Sequence, residues 1–574
     1  MFDSKDFCSA TLRCLGIVEI LRNIVRYTAA GGSVCTAATL SYTSRIFHDL
    51  AQEVVWEELD TLGDLFACFP EEVWDAERDP PRSFNRPPTP ADWKRVLANA
   101  AHVKTLTLNS SNCGVMAGDW AMIAIHCPEK VIFPNLKDLD WEDDDDKKAL
   151  SYAHLLLGPK LWRLTLRIGE DAHVNAAVER ATSLLNTVAY QRPPLCSLNV
   201  FISGAKTMIR EALINVVQST ELECFQSTLL LTKKEVLALA KSKTLDNADF
   251  CCYPSLVHIG DDVFAEGIFP EVTSMRMSVD NLDERSVRRL ITDARSPYLE
   301  EICLKSATDP RQSTLLEFLQ ELARRPSVNA IRTLQLGFAE DKYRHVPPPT
   351  EEPECTLGPK VLQNIFAFRC LIHLRIRSRY LDINPEIFGQ ICTHLPQLHT
   401  LLLLPTYHSG RPSKLTMYAV SMAAFNLPCL RELGVPLHTT DMRFTAPLGG
   451  QAFNQSCTKL HVADSPLDAA DVENVALFLS SWLWNPALEI VACDPTVPAA
   501  DALAEFHAQW RGAWADCQKL LRPLARARQQ ERFRGGYRDA GVATEWTVPE
   551  KWLPADEPPY HLPLIPIYSR VPLA

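Results

Sequence analysis

The pattern Leu-x-x-Leu-x-Leu recurs along most of this chain, and few folds accept it. Clear copies are Val103-Lys104-Thr105-Leu106-Thr107-Leu108, Leu161-Trp162-Arg163-Leu164-Thr165-Leu166, Leu195-Cys196-Ser197-Leu198-Asn199-Val200, Leu299-Glu300-Glu301-Ile302-Cys303-Leu304, Ile331-Arg332-Thr333-Leu334-Gln335-Leu336 and Leu371-Ile372-His373-Leu374-Arg375-Ile376. A second form has a proline after an apolar residue. It occurs at Phe133-Pro134-Asn135-Leu136-Lys137-Asp138-Leu139, Tyr253-Pro254-Ser255-Leu256, Phe269-Pro270-Glu271-Val272, Leu395-Pro396-Gln397-Leu398 and Leu427-Pro428-Cys429-Leu430. Alternating apolar and polar residues make a short strand with one buried side. Successive copies start mostly about 25 to 40 residues apart, the spacing of stacked repeats. One strand with its return helix cannot bury its apolar side alone, so the copies must stack. The fold class expected is α/β: a solenoid with parallel strands on the concave face and helices outside.

This is the strand signature of a leucine-rich repeat in an irregular form, and it assigns residues 101–495 to the solenoid. Residues 10–60 read as a short helical module. Ile17, Ile20, Leu21, Ile24 and Val25 fall at helical spacing, followed by Leu40, Phe47, Leu50, Val54, Val55, Trp56 and Leu59. So small a module cannot bury that much apolar surface by itself; the rest of the chain or a partner must cover it. Residues 61–100 read as a connector broken by Pro80, Pro81, Pro87, Pro88 and Pro90, ending in a linking helix. Thr89 caps that helix and Pro90 takes its first position, where a missing amide hydrogen costs nothing.

Residues 496–540 predict a C-terminal helix. Phe506, Trp510, Trp514, Cys517, Leu520, Leu521 and Leu524 mark its apolar side, and Arg511, Lys519, Arg522, Arg526, Arg528, Arg532 and Arg534 add positive charge. Such a helix either caps the last repeat or binds a partner. Residues 541–574 are a proline-rich, extended tail. Two interruptions are expected in the array: a charged loop from Trp141 to Lys148, and a disordered insertion over 341–359 around Pro347-Pro348-Pro349.

No phosphate-binding loop, dinucleotide fingerprint, serine elbow or His-Glu-x-x-His occurs, so catalysis is not expected. None of the 18 cysteines forms a Cys-x-x-Cys pair, and they read as free thiols. His394 and His399 are five apart across a strand start, poor spacing for a metal pair. No cofactor or metal is expected. The net charge of −12 disfavours a nucleic-acid coat. No apolar run approaches the roughly 18 residues that span a bilayer. Met1-Phe2-Asp3-Ser4-Lys5-Asp6 lacks the basic start of a secretion signal, so an intracellular protein, in cytoplasm or nucleus, is expected.

With those residues laid out, the chain resembles fungal F-box proteins of the large mushroom-type group, which carry leucine-rich repeats after an F-box-like segment. Ile17-Val18-Glu19-Ile20-Leu21 looks like the family's Leu-Pro-Glu-Ile-Leu opening, with Val18 where proline is usual. Ser44-Arg45-Ile46-Phe47 resembles its Cys-Arg-Ser-Phe/Trp segment, and Val55-Trp56-Glu57-Glu58-Leu59 its closing Leu-Trp-x-x-Leu. Arg86-Pro87-Pro88-Thr89-Pro90-Ala91-Asp92-Trp93 is similar to the Arg-Pro-x-Thr-x-x-Asp-Trp that often follows. The resemblance implies a module that docks on a Skp-type adaptor, and through it a cullin, within a ubiquitin ligase. Ile17, Val18, Ile20, Leu21, Ile24, Leu40, Phe47, Leu50 and Trp56 would make that contact, while the repeats recruit a protein substrate. The alternative is a repeat scaffold whose degenerate F-box binds no adaptor.

Residues flanking the last two apolar positions of each repeat point away from the core. They include Asp138, Asp140, Arg163, Arg167, Arg276, Lys305, His373, Arg375 and Arg377. The cations among them put positive charge on one surface and predict a preference for an acidic or phosphorylated substrate segment.

Overall fold

The computed structural model describes residues 17–535, except 32–33, 44, 75–82, 110–113, 144–148, 170–173, 203–207, 253–266, 339–356, 380, 406–412, 440–453, 464, 484 and 493–503. The described strands form one parallel sheet. They are β1 Glu58–Leu59, β2 Thr105–Asn109, β3 Asp138–Asp143, β4 Arg163–Ile168, β5 Ser197–Ile202, β6 Cys224–Leu231, β7 Asn247–Cys252 and β8 Ser274–Val279. They continue as β9 Glu301–Ser306, β10 Thr333–Phe338, β11 His373–Ser378, β12 Thr400–Pro405, β13 Glu432–Gly434, β14 Lys459–Ala463 and β15 Glu489–Ala492. Their order in the sheet is their order in the sequence. Each connection therefore moves over by one strand, as a solenoid-like α/β architecture requires.

The register explains why the sequence repeats. Leu106, Leu139, Leu164 and Leu198 stand opposite one another on successive strands, as do Ile302, Leu334, Leu374, Leu401, Leu433 and Leu460. All are buried, in one continuous core that also takes the inner faces of helices such as Met208–Ser219, Gln312–Ala323 and Val472–Trp482. Burying one such leucine contributes about 1.5–3 kcal/mol, so each repeat is held mainly by its neighbours.

Four strands carry the pattern in altered residues. Ser227 on β6, Ala248 on β7 and Cys457 before β14 replace the usual leucine, and β15 is entered only through Leu488 and Ile490. The proline form at Tyr253 lies outside the described residues. Of the charged loop expected from Trp141 to Lys148, Trp141, Glu142 and Asp143 are the end of β3, and residues 144–148 lie outside the described residues. Asp143 is buried and its carboxylate pairs with Arg180 at 3.1 Å; this inward partner keeps the strand going through a charged stretch. Of the expected insertion at 341–359, residues up to 356 are outside the description. Leu357 bridges to Leu381, and a helix starts at Pro359.

The described part of the expected connector at 61–100 is a packed aromatic end-piece; residues 75–82, with Pro80 and Pro81, lie outside the described residues. Phe66, Phe69, Trp74, Phe84 and Trp93 meet with ring centroids 4.9–6.2 Å apart, mostly edge-on. They cover the first repeats. The linking helix, Pro90–Ala100, starts at Thr89 with a reciprocal capping box to Asp92, as the spacing predicts. Arg86 reaches Asp92 at 2.9 Å, and the Thr89 amide donates to the same carboxylate. Those contacts hold the Asp92 carboxyl down at about 2.

The other end is closed by the helix Ala504–Gly535; residues 496–503 and 536–540 of the expected helix lie outside the described residues. Ala513, Trp514, Cys517, Leu521 and Ala525 are its buried side, and Trp514 Nε1 donates to the Ser465 carbonyl at 2.9 Å. Phe506 and Leu520, expected on that side, are exposed. Gln518 stands in for a further strand: its Oε1 accepts from the Ile490 amide at 2.5 Å and its Nε2 donates to the Leu488 carbonyl at 2.7 Å. An uncovered edge strand is a template for pairing with another chain. Gln518→Ala is therefore expected to lose about 1–3 kcal/mol from two hydrogen bonds. It should also shift light scattering toward larger species as protein concentration rises. Unchanged scattering would show that the helix backbone alone protects β15.

Candidate functional site

Two surfaces carry the residues that the sequence singles out. The first is the N-terminal helical group: α1 Val18–Gly31, α2 Val34–Thr43 and α3 Arg45–Val55. Its own core is small: among the described residues Val25, Ala37 and Ala51 form it, Leu21 is buried beside Val25, and Ala29, Leu40, Phe47, Val54 and Val55 lie at its margin. The group is fixed to the sheet. α3 is followed within three residues by β1, and Lys104 next to β2 pairs with Glu57 at 3.0 Å and Glu53 at 3.5 Å. Arg26 from α1 meets the same Glu57 at 3.2 Å, and Arg22 meets Glu53 at 3.3 Å. Burial alone would raise the Glu57 carboxyl, but Lys104 and Arg26 outweigh it and the net shift is downward.

This small core leaves apolar side chains outside. Ile17, Val18, Ile20 and Ile24 are 37–48% exposed, and Tyr27 is 81% exposed. Ile17, Ile20, Ile24 and Tyr27 are spaced three, four and three apart, so they form one stripe along α1. Leu21, expected with them, points into the group's interior, since it shares the inner face with Val25. Leu40, Phe47 and Leu50 are half-buried, and Trp56 packs on the main core with its Nε1 bonded to Gln52 at 2.8 Å. Sequence reasoning missed Tyr27, Tyr42 and Ile46, all well exposed; the three-four spacing from Ile17 would have found Tyr27.

The second surface is the open side of the sheet. The register sets its side chains in cross-strand rows. One row includes Asp138, Arg163, Ser197, Cys224, Asn247, Ser274, Glu301, Thr333, His373, Thr400, Glu432 and Lys459. The next includes Asp140, Thr165, Asn199, Gln226, Asp249, Arg276, Cys303, Gln335, Arg375, Leu402, Gly434 and His461. Arg167, Lys305 and Arg377 lie one step further along their strands.

The arginines are not a bare positive surface. Arg163 pairs with Asp138 at 3.1 Å, Arg167 with Asp140, Arg276 with Glu301 at 2.8 Å and Arg375 with Glu432 at 3.1 Å. Three of the acids come from the adjacent strand and Glu432 from two strands along, so the pairing follows from stacking. Pairs this exposed contribute only about 0–1 kcal/mol each. Arg163 also lies 5.2 Å from the ring of the exposed Trp162, and Arg167 5.6 Å from that of Phe201. His373 meets Thr400 Oγ1 at 3.0 Å, and burial followed by the nearby Arg375 lowers its pKa. Burial raises the Asp138 and Asp249 carboxyls in spite of their arginine neighbours.

Glu432 is a shared acid of this side. His461 Nε2 sits 2.9 Å from it, and Arg375 reaches it across β12. The His461 contact is the main cause that holds its carboxyl below the ordinary 4.5, against burial and with help from Arg375 and Lys459. A depressed carboxyl stabilises the fold above its unfolded pKa and loses that effect as pH falls through the folded one. The stability difference between the protein and Glu432→Gln should therefore be full near neutrality, begin to shrink as pH falls through the ordinary glutamate range, and be lost below the depressed folded value. Urea midpoints across that range would show it; a difference independent of pH would contradict it.

His394 and His399 do not converge: His394 stacks on Phe366 at 4.5 Å and His399 lies edge-on to His373. Among the described residues no group of three His, Cys, Asp or Glu side chains could hold a metal ion, and no helix is long and apolar enough to cross a membrane. Burial pushes the thiols of Cys457 and Cys517 up to about 12 and that of Cys303, on the open side, to about 11, which suits unreactive thiols. Comparison with protein-family models and with curated proteins gives no match.

Proposed function

We propose that this protein is a substrate-recognition subunit of a Skp-cullin-F-box type ubiquitin ligase, and not itself a catalyst. In this reading the N-terminal group is an F-box-like module, the sheet is an array of leucine-rich repeats, and its open side captures a protein substrate. The observation that carries it is the solvent-facing stripe Ile17, Ile20, Ile24 and Tyr27 on a module whose own core is small. An amphipathic helix with such a stripe calls for a groove on a partner. The ionic clasp of Glu53 and Glu57 with Arg22, Arg26 and Lys104 would carry the orientation of that partner to the repeats.

The open side offers arginines already matched to acids, beside the exposed Trp162. A substrate there exchanges ion pairs and gains most from contact with the aromatic ring. The scaffold reading stays in view through Val18, which stands exposed where the family usually has proline. The test is reconstitution. The purified full chain, mixed with its host's Skp-type adaptor and cullin, is expected to elute with both in one complex on size exclusion. Folded protein that elutes alone would favour the scaffold.

A further inference from the structure

The helix Ala504–Gly535 has one side committed to closing β15, and among the described residues its other side packs on no further element. At 100° per residue, Arg511, Lys519, Arg522 and Arg526 fall within an arc of about 80°. All four are exposed. They span about 22 Å along the helix axis. Arg511 Nε donates weakly to the His507 carbonyl at 3.4 Å, and Lys519 meets Asp516 at 2.8 Å. Among the described residues Arg522 and Arg526 have no acidic partner, whereas Arg163, Arg167, Arg276 and Arg375 on the sheet each have one. Arg532 and Arg534 have side chains outside the described residues. On a chain of net charge −12, this strip runs against the overall sign.

We propose that the solvent side of this helix is a docking strip for an acidic, extended segment of another protein. Lys519, Arg522 and Arg526 are about 4.5 and 6 Å apart along the axis. Alternate side chains of an extended strand repeat at about 6.6 Å, so carboxylates on one side of it can meet these cations in turn. A nucleic acid fits less well. The strip holds no aromatic residue to stack on a base, since Phe506 lies on the far side of the helix, and the remaining negative charge of the protein repels a long polyanion. A membrane surface fits less well too, because the apolar side of the helix is spent on the core. The strip lies at the β15 end, away from the module beside β1, so the proposal stands independently of the adaptor reading.

The test is fluorescence anisotropy with the full chain and a labelled glutamate-rich peptide of about 12 residues. Binding is expected at low salt and should weaken about tenfold or more when ionic strength rises toward 0.3 M, where screening shortens. Arg522→Glu with Arg526→Glu should weaken it about tenfold or more at low salt, the signature of direct charge pairing. Arg276→Glu on the sheet should leave it unchanged. No binding, equal binding by the double variant, or capture of an RNA oligonucleotide or phosphatidylserine vesicles in place of the peptide would overturn the proposal.

Discussion

Replacing Ile20 and Ile24 by aspartate is expected to abolish adaptor capture and leave the repeat array intact. Both side chains are over a third exposed on α1, so the free protein loses little by the change. In a docked state each would be buried, contributing about 1.5–3 kcal/mol. Losing both, and burying charge instead, should weaken the complex by about a hundredfold or more. The measurement is adaptor affinity by interferometry, with circular dichroism and thermal unfolding as controls. Val25→Asp is the contrast: Val25 is fully buried, so that variant should unfold the helical group itself. Unchanged affinity in the Ile20, Ile24 variant would sink the docking stripe. Removing residues 10–60 wholesale is a poorer test, because it deletes β1 and uncovers the edge of β2.

Trp93→Ala is expected to cause the largest loss of stability, about 3–5 kcal/mol, because it empties the centre of the aromatic end-piece. Trp93 is fully buried and lies 5.0 Å from the Phe69 ring and 6.2 Å from the Phe66 ring. Its indole N–H has no hydrogen-bond partner among the described residues. Trp93→Phe should therefore cost much less than Trp93→Ala: it keeps most of the packing and removes an unsatisfied donor. Denaturant unfolding of both variants would separate the two effects. Equal losses would mean that the indole N–H has a partner after all.

The solenoid-like sheet was legible from the chain because its core is periodic. Every Leu-x-x-Leu-x-Leu copy whose strand is described falls on a strand, and the capping box at Thr89 and Asp92 is where its spacing puts it. Strands β6, β7 and β14 were harder to read. Phe225, Ala248 and Cys457 are buried in the same register as the leucines, but they do not announce a repeat. β1 is two residues long, too short to show any alternation. The exposed stripe on α1 was half legible. Helical spacing grouped Ile17, Ile20, Leu21 and Ile24, but spacing cannot say which edge of an apolar face turns inward, and Leu21 turned in.

The sequence by itself determined the class of fold, the position of most strands and the side of each strand that is buried, because those depend on local alternation and on burial of leucine. Only the tertiary structure decided what the other side looks like. Arg163, Arg167, Arg276 and Arg375 read as free positive charge in one dimension, and stacking brings an acid from the next repeats to each. In the same way one helix supplies Gln518 to the sheet edge and turns Arg522 and Arg526 to solvent. Pairing of charges and closing of edges join residues tens of positions apart, and register, which is cooperative over the whole stack, sets which of them meet.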